Sequence, residues 1–169
     1  PYGKKIVAQL SSEGFSDLRE LTETQLDNPK HRRIWRSTIS GQLELDAAAG
    51  EKIAALGYPR YYLDFETIQF AVPRWAGTRP YAQIPFQWSC HIEQSDGTLA
   101  HTEYLSDGSG DPRRAFTESL IATLGQSGSI VVYNAGFECG RMRELAADFP
   151  DLAPDLDAAI ARVFDLLPV

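Results

Sequence analysis

The side-chain pattern changes at Pro59, and the eight residues after it constrain the fold more than any others. Arg60-Tyr61-Tyr62-Leu63-Asp64-Phe65-Glu66-Thr67 is rich in aromatic and β-forming residues, as the central strand of a sheet should be. Asp64 and Glu66 are one residue apart on that strand, so both side chains leave the same face and their carboxylates can converge on one point. Two neighbouring acids repel unless something positive lies between them. A divalent metal ion supplies that charge, and oxygen-only ligands select hard cations such as Mg²⁺ or Mn²⁺. The same pair also fits a solvated strand face with one acid hydrogen-bonded to backbone.

Downstream, residues 83–93 alternate well enough for a second strand, and the turn Ser95-Asp96-Gly97-Thr98 leads to a third strand over 99–105, paired with the second as a hairpin. Asp111-Pro112 reads as an N-cap followed by proline in the first turn of a helix that runs to about Leu124. Ala115, Phe116, Leu120 and Leu124 form its expected buried stripe, and Gly125 and Gly128 end it. Ser129-Ile130-Val131-Val132-Tyr133 is the continuous apolar run of a strand buried on both faces. A further helix is expected from about Phe137 to Ala147, stopped by Phe149-Pro150. Three strands, a helix, a strand and a helix make an α/β fold with a mixed sheet, three antiparallel strands and then a parallel one, flanked by helices.

Ahead of this lies a stretch that reads as helical from Phe15 to Leu56. It has a loose helix start at Ser16, a capped start with a basic face at Asp27-Asn28-Pro29, and a helix-favouring run over residues 45–56 that stops at Gly57-Tyr58-Pro59. We divide the chain into residues 1–57, a helical lead-in or linker, and residues 58–169, the α/β domain. At 169 residues and 43% hydrophobic, the chain suits one cooperative core with extensions. No apolar stretch approaches the roughly 18 residues that a membrane helix needs. The start, Pro1-Tyr2-Gly3-Lys4-Lys5, lacks an initiator Met and the apolar core of a signal peptide, so a piece of a longer cytoplasmic protein is expected. Cys90 and Cys139 are the only cysteines and have no ligand spacing, which disfavours a disulfide scaffold and a structural zinc site.

Charge is unevenly placed. Residues 1–60 hold 9 Lys/Arg against 8 Asp/Glu, and residues 61–169 hold 7 against 15. So acidic a domain makes a poor non-specific nucleic-acid binder, because phosphate contacts supply most of that affinity. It remains compatible with a nuclease, since carboxylates that hold metal ions are neutralised by them.

The second chemical element is Tyr133-Asn134-Ala135-Gly136-Phe137-Glu138, where a buried strand ends in a short turn and a helix begins with an acid in its first turn. Ligand sites in open α/β sheets lie beyond the carboxyl ends of strands, where Asn134 and Glu138 would sit. Taken alone, the segment also reads as an ordinary helix start, with Asn134 as cap and Glu138 complementing the dipole. An acid pair followed about 70 residues later by such a turn is far rarer by chance than either element alone.

With both elements in hand, the sequence resembles the DEDD 3′-to-5′ exonucleases of the ribonuclease H-like fold. Leu63-Asp64-Phe65-Glu66-Thr67 matches their first motif and Asn134-Ala135-Gly136-Phe137-Glu138 their second, with Glu where most members have Asp. Residues 58–169 are more closely similar to an uncharacterised bacterial domain family, domain of unknown function 2779. That similarity is carried by Tyr62–Thr67, Arg79-Pro80-Tyr81, Pro85–Ser89, Asp111–Arg114 and Val163–Pro168. Members of that family are commonly attached to RecB-like nuclease regions, which makes such a domain an expected partner.

The resemblance implies a metal-dependent 3′-5′ exonuclease-type domain that hydrolyses phosphodiester bonds with two Mg²⁺ or Mn²⁺ ions. Asp64 would bridge both metals, Glu66 would hold one and help place water, and Glu138 would hold the second. Phe65 would support the strand and stack on a terminal base, and Asn134 would shape the turn or touch the substrate, beside Thr67. It further implies a fourth carboxylate and a water-activating His or Tyr beyond Val169, so that the C-terminal part of the fold is expected to be missing. Asp165 corresponds to a position that is not usually the fourth ligand.

From the residues themselves, Arg74, Arg79 and Tyr81 form a basic-aromatic loop suited to a single-stranded end, or a surface loop with Trp75 tucked into the core. His91 and His101 read as structural. Arg113 and Arg114, like Arg141 and Arg143, read as a solvated helix face in preference to phosphate contacts, and Cys139 as a packed thiol. Besides the nuclease, two further readings stand: a catalytically inactive ribonuclease H-like module that binds nucleic acid or protein, and an unrelated α/β interaction domain.

Overall fold

Alternation of buried and exposed side chains along residues 60–68 sets the architecture, because it gives the first strand one face for a core and one for water. A computed structural model describes residues 3–44 and 47–167, which fall into two units, residues 1–49 and residues 50–169.

The first unit is helical. Helix α1 (Lys4–Ser12) precedes the stretch expected to be helical. At Ser16, where a helix start was expected, the chain makes a single 3-10 turn over Leu18–Glu20. Asp17 caps it, accepting from the Arg19 amide at 2.8 Å, while the Glu20 carboxylate accepts from the Ser16 amide at 2.9 Å. Helix α2 (Pro29–Ser40) starts as expected on Asn28, whose Oδ1 accepts from the Lys30 amide at 2.8 Å, and stops at Gly41 with φ +65°. Its basic face is partly neutralised by Arg36 pairing with Glu23 at 2.7 Å and Glu44 at 2.5 Å. The next helix, α3 (Ala47–Ala54), takes the place of the expected 45–56 run. Leu45 and Asp46 of that run, like Pro1, Tyr2, Pro168 and Val169, lie outside the described residues.

The second unit is an α/β fold with a mixed five-stranded sheet in the order β3-β2-β1-β4-β5. Its strands are β1 (Arg60–Ile68), β2 (Ile84–Glu93), β3 (Leu99–Leu105), β4 (Ser129–Val132) and β5 (Val163–Asp165). The strands β3, β2 and β1 are antiparallel in turn, while β4 and β5 continue parallel to β1. Helices α4 (Arg113–Leu124), α5 (Ala135–Asp148) and α6 (Ala153–Ile160) supply the helical layer. Tyr61, Leu63 and Phe65 from β1, Trp88 and Cys90 from β2, and Ile130 and Val132 from β4 face it, and their partners include Phe116, Leu120, Met142, Leu145 and Leu156. The indole N–H of buried Trp88 finds Ser119 Oγ at 3.0 Å, so the core contains no orphaned donor there.

Two expectations about α4 are corrected. Ala115 is exposed, and Thr117 is buried in its place, because the face toward the sheet is Arg113, Phe116, Thr117, Leu120 and Leu124, a true i, i+3, i+4 stripe. Arg113, expected on a solvated face, is 7% exposed. Its guanidinium binds Asp111 and Asp148, each at 2.6 Å, and the Ala76 carbonyl at 2.9 Å. At the other end of α4, Arg162 donates to the carbonyls of Leu124 and Gly125, the C-terminal groups a helix leaves unpaired. Gly128 has φ +87°, and a Cβ on it would overlap the Pro59 carbonyl, so the close pass of these two segments just ahead of β4 and β1 requires glycine.

Candidate functional site

Three backbone features bring acids toward the carboxyl ends of β1, β4 and β5. On β1, Leu63 and Phe65 go into the core, and Asp64 and Glu66, both exposed, leave the opposite face. They stand opposite Ser89 and Gln87 of β2, and the register shifts immediately after Glu66. Neither carboxylate hydrogen-bonds or ion-pairs with another described residue. Next, β4 ends at Val132, and the chain turns into α5 through Asn134, a non-glycine residue with φ +77°. That turn puts Glu138 in the first turn of α5. Last, β5 pairs in parallel with β4 and places Asp165 beside Val132.

Glu138 is the unusual member. It is 2% exposed, and its Oε2 is shut off from water without accepting any hydrogen bond. Burial pushes its carboxyl above the ordinary value; its own backbone amide opposes this, and the charges of Asp64 and then Asp165 push it up further. A buried carboxylate oxygen with no donor, felt by the charges of two further acids, is costly unless a proton or a cation meets it.

That cost has a measurable sign. A carboxyl raised in the folded state destabilises the fold as pH climbs through the ordinary carboxylate range, since the unfolded chain releases its proton first. Glu138→Gln is therefore expected to melt higher than the parent in EDTA at pH 7, with the advantage fading as pH falls toward 4; scanning calorimetry across that range checks it. An advantage that persists unchanged in acid contradicts this account.

Asp165 was not among the expected site residues, yet it organises the turn. Its Oδ1 accepts from the amides of Leu167 and Asn134, each at 2.9 Å. The Leu167 amide, with those of Asn134 and Ala135, holds its carboxyl below the usual range despite some burial. Asp165 thus ties down the backbone just ahead of α5, while the Asn134 side chain, expected as the cap, makes no capping hydrogen bond. If Glu138 holds a cation, Asp165 acts through its position. Asp165→Asn is expected to weaken Mn²⁺ binding by about 10–100-fold, the usual range for residues that orient metal ligands, and isothermal calorimetry reads it.

The remaining expectations separate. Phe65 is 4% exposed and meets Phe116 edge-on at 5.2 Å. The alternation that groups the two acids sends Phe65 into the core, so it supports the strand and does not stack on a base. Thr67 lies past the register shift, half-buried opposite Pro85. Arg79 and Tyr81 are exposed in the loop between β1 and β2. Arg79 is 4.0 Å from Glu144, and Tyr81, at φ +57°, donates its amide to the Phe70 carbonyl at 2.8 Å. Arg74 lies over the Phe70 ring at 4.9 Å, and Trp75, half-buried, meets that ring edge-on. His91 and His101 are cross-strand partners on the exposed face, their rings 4.6 Å apart. Cys139 is buried, as expected.

As the side chains stand, no group of three His, Cys, Asp or Glu among the described residues is placed to hold a metal ion. By donor chemistry Asp64, Glu66 and Glu138 suit a hard cation, and the orphaned Glu138 oxygen is the local feature that such an ion would satisfy. No helix among the described residues is long and apolar enough to cross a membrane. Among known proteins, the family model described as Domain of unknown function (DUF2779) matches residues 61–169, which takes in nearly all of the sheet, α4 to α6, and all four acids. No curated protein and no solved structure matches the chain.

Proposed function

The chain belongs to the DUF2779 family, and from its carboxylates we propose that residues 58–169 are a ribonuclease H-like, metal-dependent exonuclease-type domain that hydrolyses phosphodiester bonds at a nucleic-acid end. The observation that carries this reading is the buried, unpartnered Oε2 of Glu138 beside the charges of Asp64 and Asp165. The sheet supports it: three antiparallel strands followed by parallel ones is the layout that the motif resemblance implies.

Asp64, Glu66 and Glu138 hold Mg²⁺ or Mn²⁺ in this reading. Metal held there would supply a nucleophilic water and neutralise charge on the phosphate and the leaving oxygen. The protein's own part is positional. Glu138 is fixed by burial on α5, and Asp165 fixes where α5 begins. Asp64 and Glu66, exposed and without side-chain partners among the described residues, can turn toward Glu138. A single-stranded end would reach them past the loop bearing Arg79 and Tyr81, and a RecB-like nuclease domain is the partner we place beside this one.

One observation favours a second reading, an inactive module that binds nucleic acid or protein: the acids do not converge to chelating positions as they stand. End-labelled single-stranded DNA and RNA incubated with the protein in Mn²⁺, Mg²⁺ or EDTA separate the two. Stepwise shortening that requires the metal supports the nuclease; retention of the oligonucleotide without shortening supports the module.

A further inference from the structure

Strand β3 is the outermost strand on one side of the sheet, and its outer edge is bare. Where β3 meets β2, the Thr98 carbonyl accepts from the Gln94 amide and the Phe86 carbonyl from the Ser106 amide, each at 2.9 Å. Even-numbered residues of β3 therefore direct their backbone groups toward β2. The alternation of an antiparallel pair then turns those of Leu99, His101, Glu103 and Leu105 outward. None of these outward amides and carbonyls meets another group among the described residues. Proteins usually block such an edge with proline, lysine, a bulge or a very short strand. β3 has none of these: it runs for 7 residues, Leu-Ala-His-Thr-Glu-Tyr-Leu, in unbroken register with β2.

The side chains along this edge are complementary to themselves. Those of the odd-numbered residues share the face of Asp64, because Asp64 stands opposite Ser89 and Ser89 opposite Glu103. Leu99 and Leu105, at the two ends, are 60% and 63% exposed. His101 Nε2 is 3.1 Å from Ser89 Oγ, while its Nδ1 and the Glu103 carboxylate have no partner among the described residues. Against a second, antiparallel β3, the outward groups bond only where odd-numbered residues face odd-numbered residues. Centring the pair on His101 sets His against His, and centring it on Glu103 sets acid against acid, which is unfavourable. Centring it on Thr102 sets His101 against Glu103 and Leu99 against Leu105, and it alone pairs the whole length of the strand.

We propose that β3 is a docking edge for β3 of a second copy of this chain, antiparallel and centred on Thr102, so that two sheets join into one. Every outward amide and carbonyl then has a partner, each His101 Nδ1–H reaches the carboxylate of Glu103 in the other copy, and the exposed leucines cover one another. The two-fold axis stands perpendicular to the sheet, so the acid pairs of both copies open on the same side. The contact needs no metal and is independent of the nuclease reading.

Sedimentation velocity in EDTA over about 5–500 µM reads the association, a range set by the small contact, which makes a weak dimer. The weight-average mass is expected to reach at least about 1.5 times the monomer's at the top of that range. Amide exchange at His101 and Glu103 is expected to slow with concentration, while Thr102, held by β2, does not change. Glu103→Pro removes an outward donor and leaves the β2 ladder intact, so it is expected to abolish association. His101→Glu sets acid against acid twice per dimer and is expected to weaken association about tenfold or more. Combining it with Glu103→His restores the opposed pair and is expected to recover the parental affinity, which also shows that the single variant had not simply misfolded. A chain that stays monomeric throughout, association that survives Glu103→Pro, or a swap that recovers nothing overturns the proposal. So does a monomer whose His101 and Glu103 amides are protected at every concentration, since another segment of the chain then covers the edge.

Discussion

Replacing Asp64 with Ala is expected to leave the fold intact and to reduce metal-dependent hydrolysis by about 10³-fold, equivalent to about 4 kcal/mol of transition-state stabilisation. The asymmetry follows from where Asp64 sits. It is exposed, without a side-chain partner among the described residues, between two core residues that hold β1 in place, so its loss leaves none of their buried groups unsatisfied. The proposed site would lose one of the three carboxylates that would hold its metal. Gel assays on labelled oligonucleotides, beside far-ultraviolet circular dichroism and melting curves, check both halves. A variant that still hydrolyses at the parental rate removes Asp64 from the mechanism; one that fails to fold shows that the residue is structural.

The largest effect on stability is expected at Arg113. Taking one member from a buried ion pair costs about 3–5 kcal/mol. We place Arg113→Ala at about 3, the low end of that range, because its partners Asp111 and Asp148 are 33% and 38% exposed and stay hydrated when abandoned. At roughly 2–4 °C per kcal/mol for a chain of this size, the melting temperature falls by about 6–12 °C. Arg113→Lys keeps the charge but cannot reach both acids and the Ala76 carbonyl at once, so it falls in between. Arg114 is the internal control. It pairs with Asp151 at 2.6 Å and Glu118 at 2.8 Å, but its side chain is 49% exposed, and its loss lowers the melting temperature far less than that of Arg113. Equal losses at 113 and 114 contradict the burial argument.

The contrast between these two arginines shows where reading the chain stops. Period-two alternation on β1 and the unbroken apolar run of β4 are local patterns, and they were enough to place the strands, the acid pair and the turn into α5. Whether Arg113 points into the protein depends on Asp148, 35 residues away, and on the Ala76 carbonyl, which no window of sequence brings together. The same holds for Asp165. Its bond to the Asn134 amide spans 31 residues, and β5, only 3 residues long, is too short to show a period. Asn134 carried the right signal for a helix start, but its side chain makes no capping hydrogen bond, and it is the backbone amide of Asn134 itself that Asp165 accepts from. Phe65 is different. The alternation that joined Asp64 to Glu66 already required Phe65 to face the other way, and the expectation of base stacking overlooked it.

Everything proposed for the site depends on whether Glu138 and Asp64 share a cation. The direct measurement is a calorimetric Mn²⁺ titration of the parent chain beside Asp64→Ala and Glu138→Gln, at constant pH and ionic strength. The account predicts saturable binding to the parent, lost in both variants, with a rise in parental melting temperature on adding Mn²⁺ that neither variant shares. Saturable binding that survives both substitutions, or no binding to the parent while Glu138→Gln still stabilises it in EDTA, contradicts the metal site and leaves the buried carboxyl to be met by a proton instead.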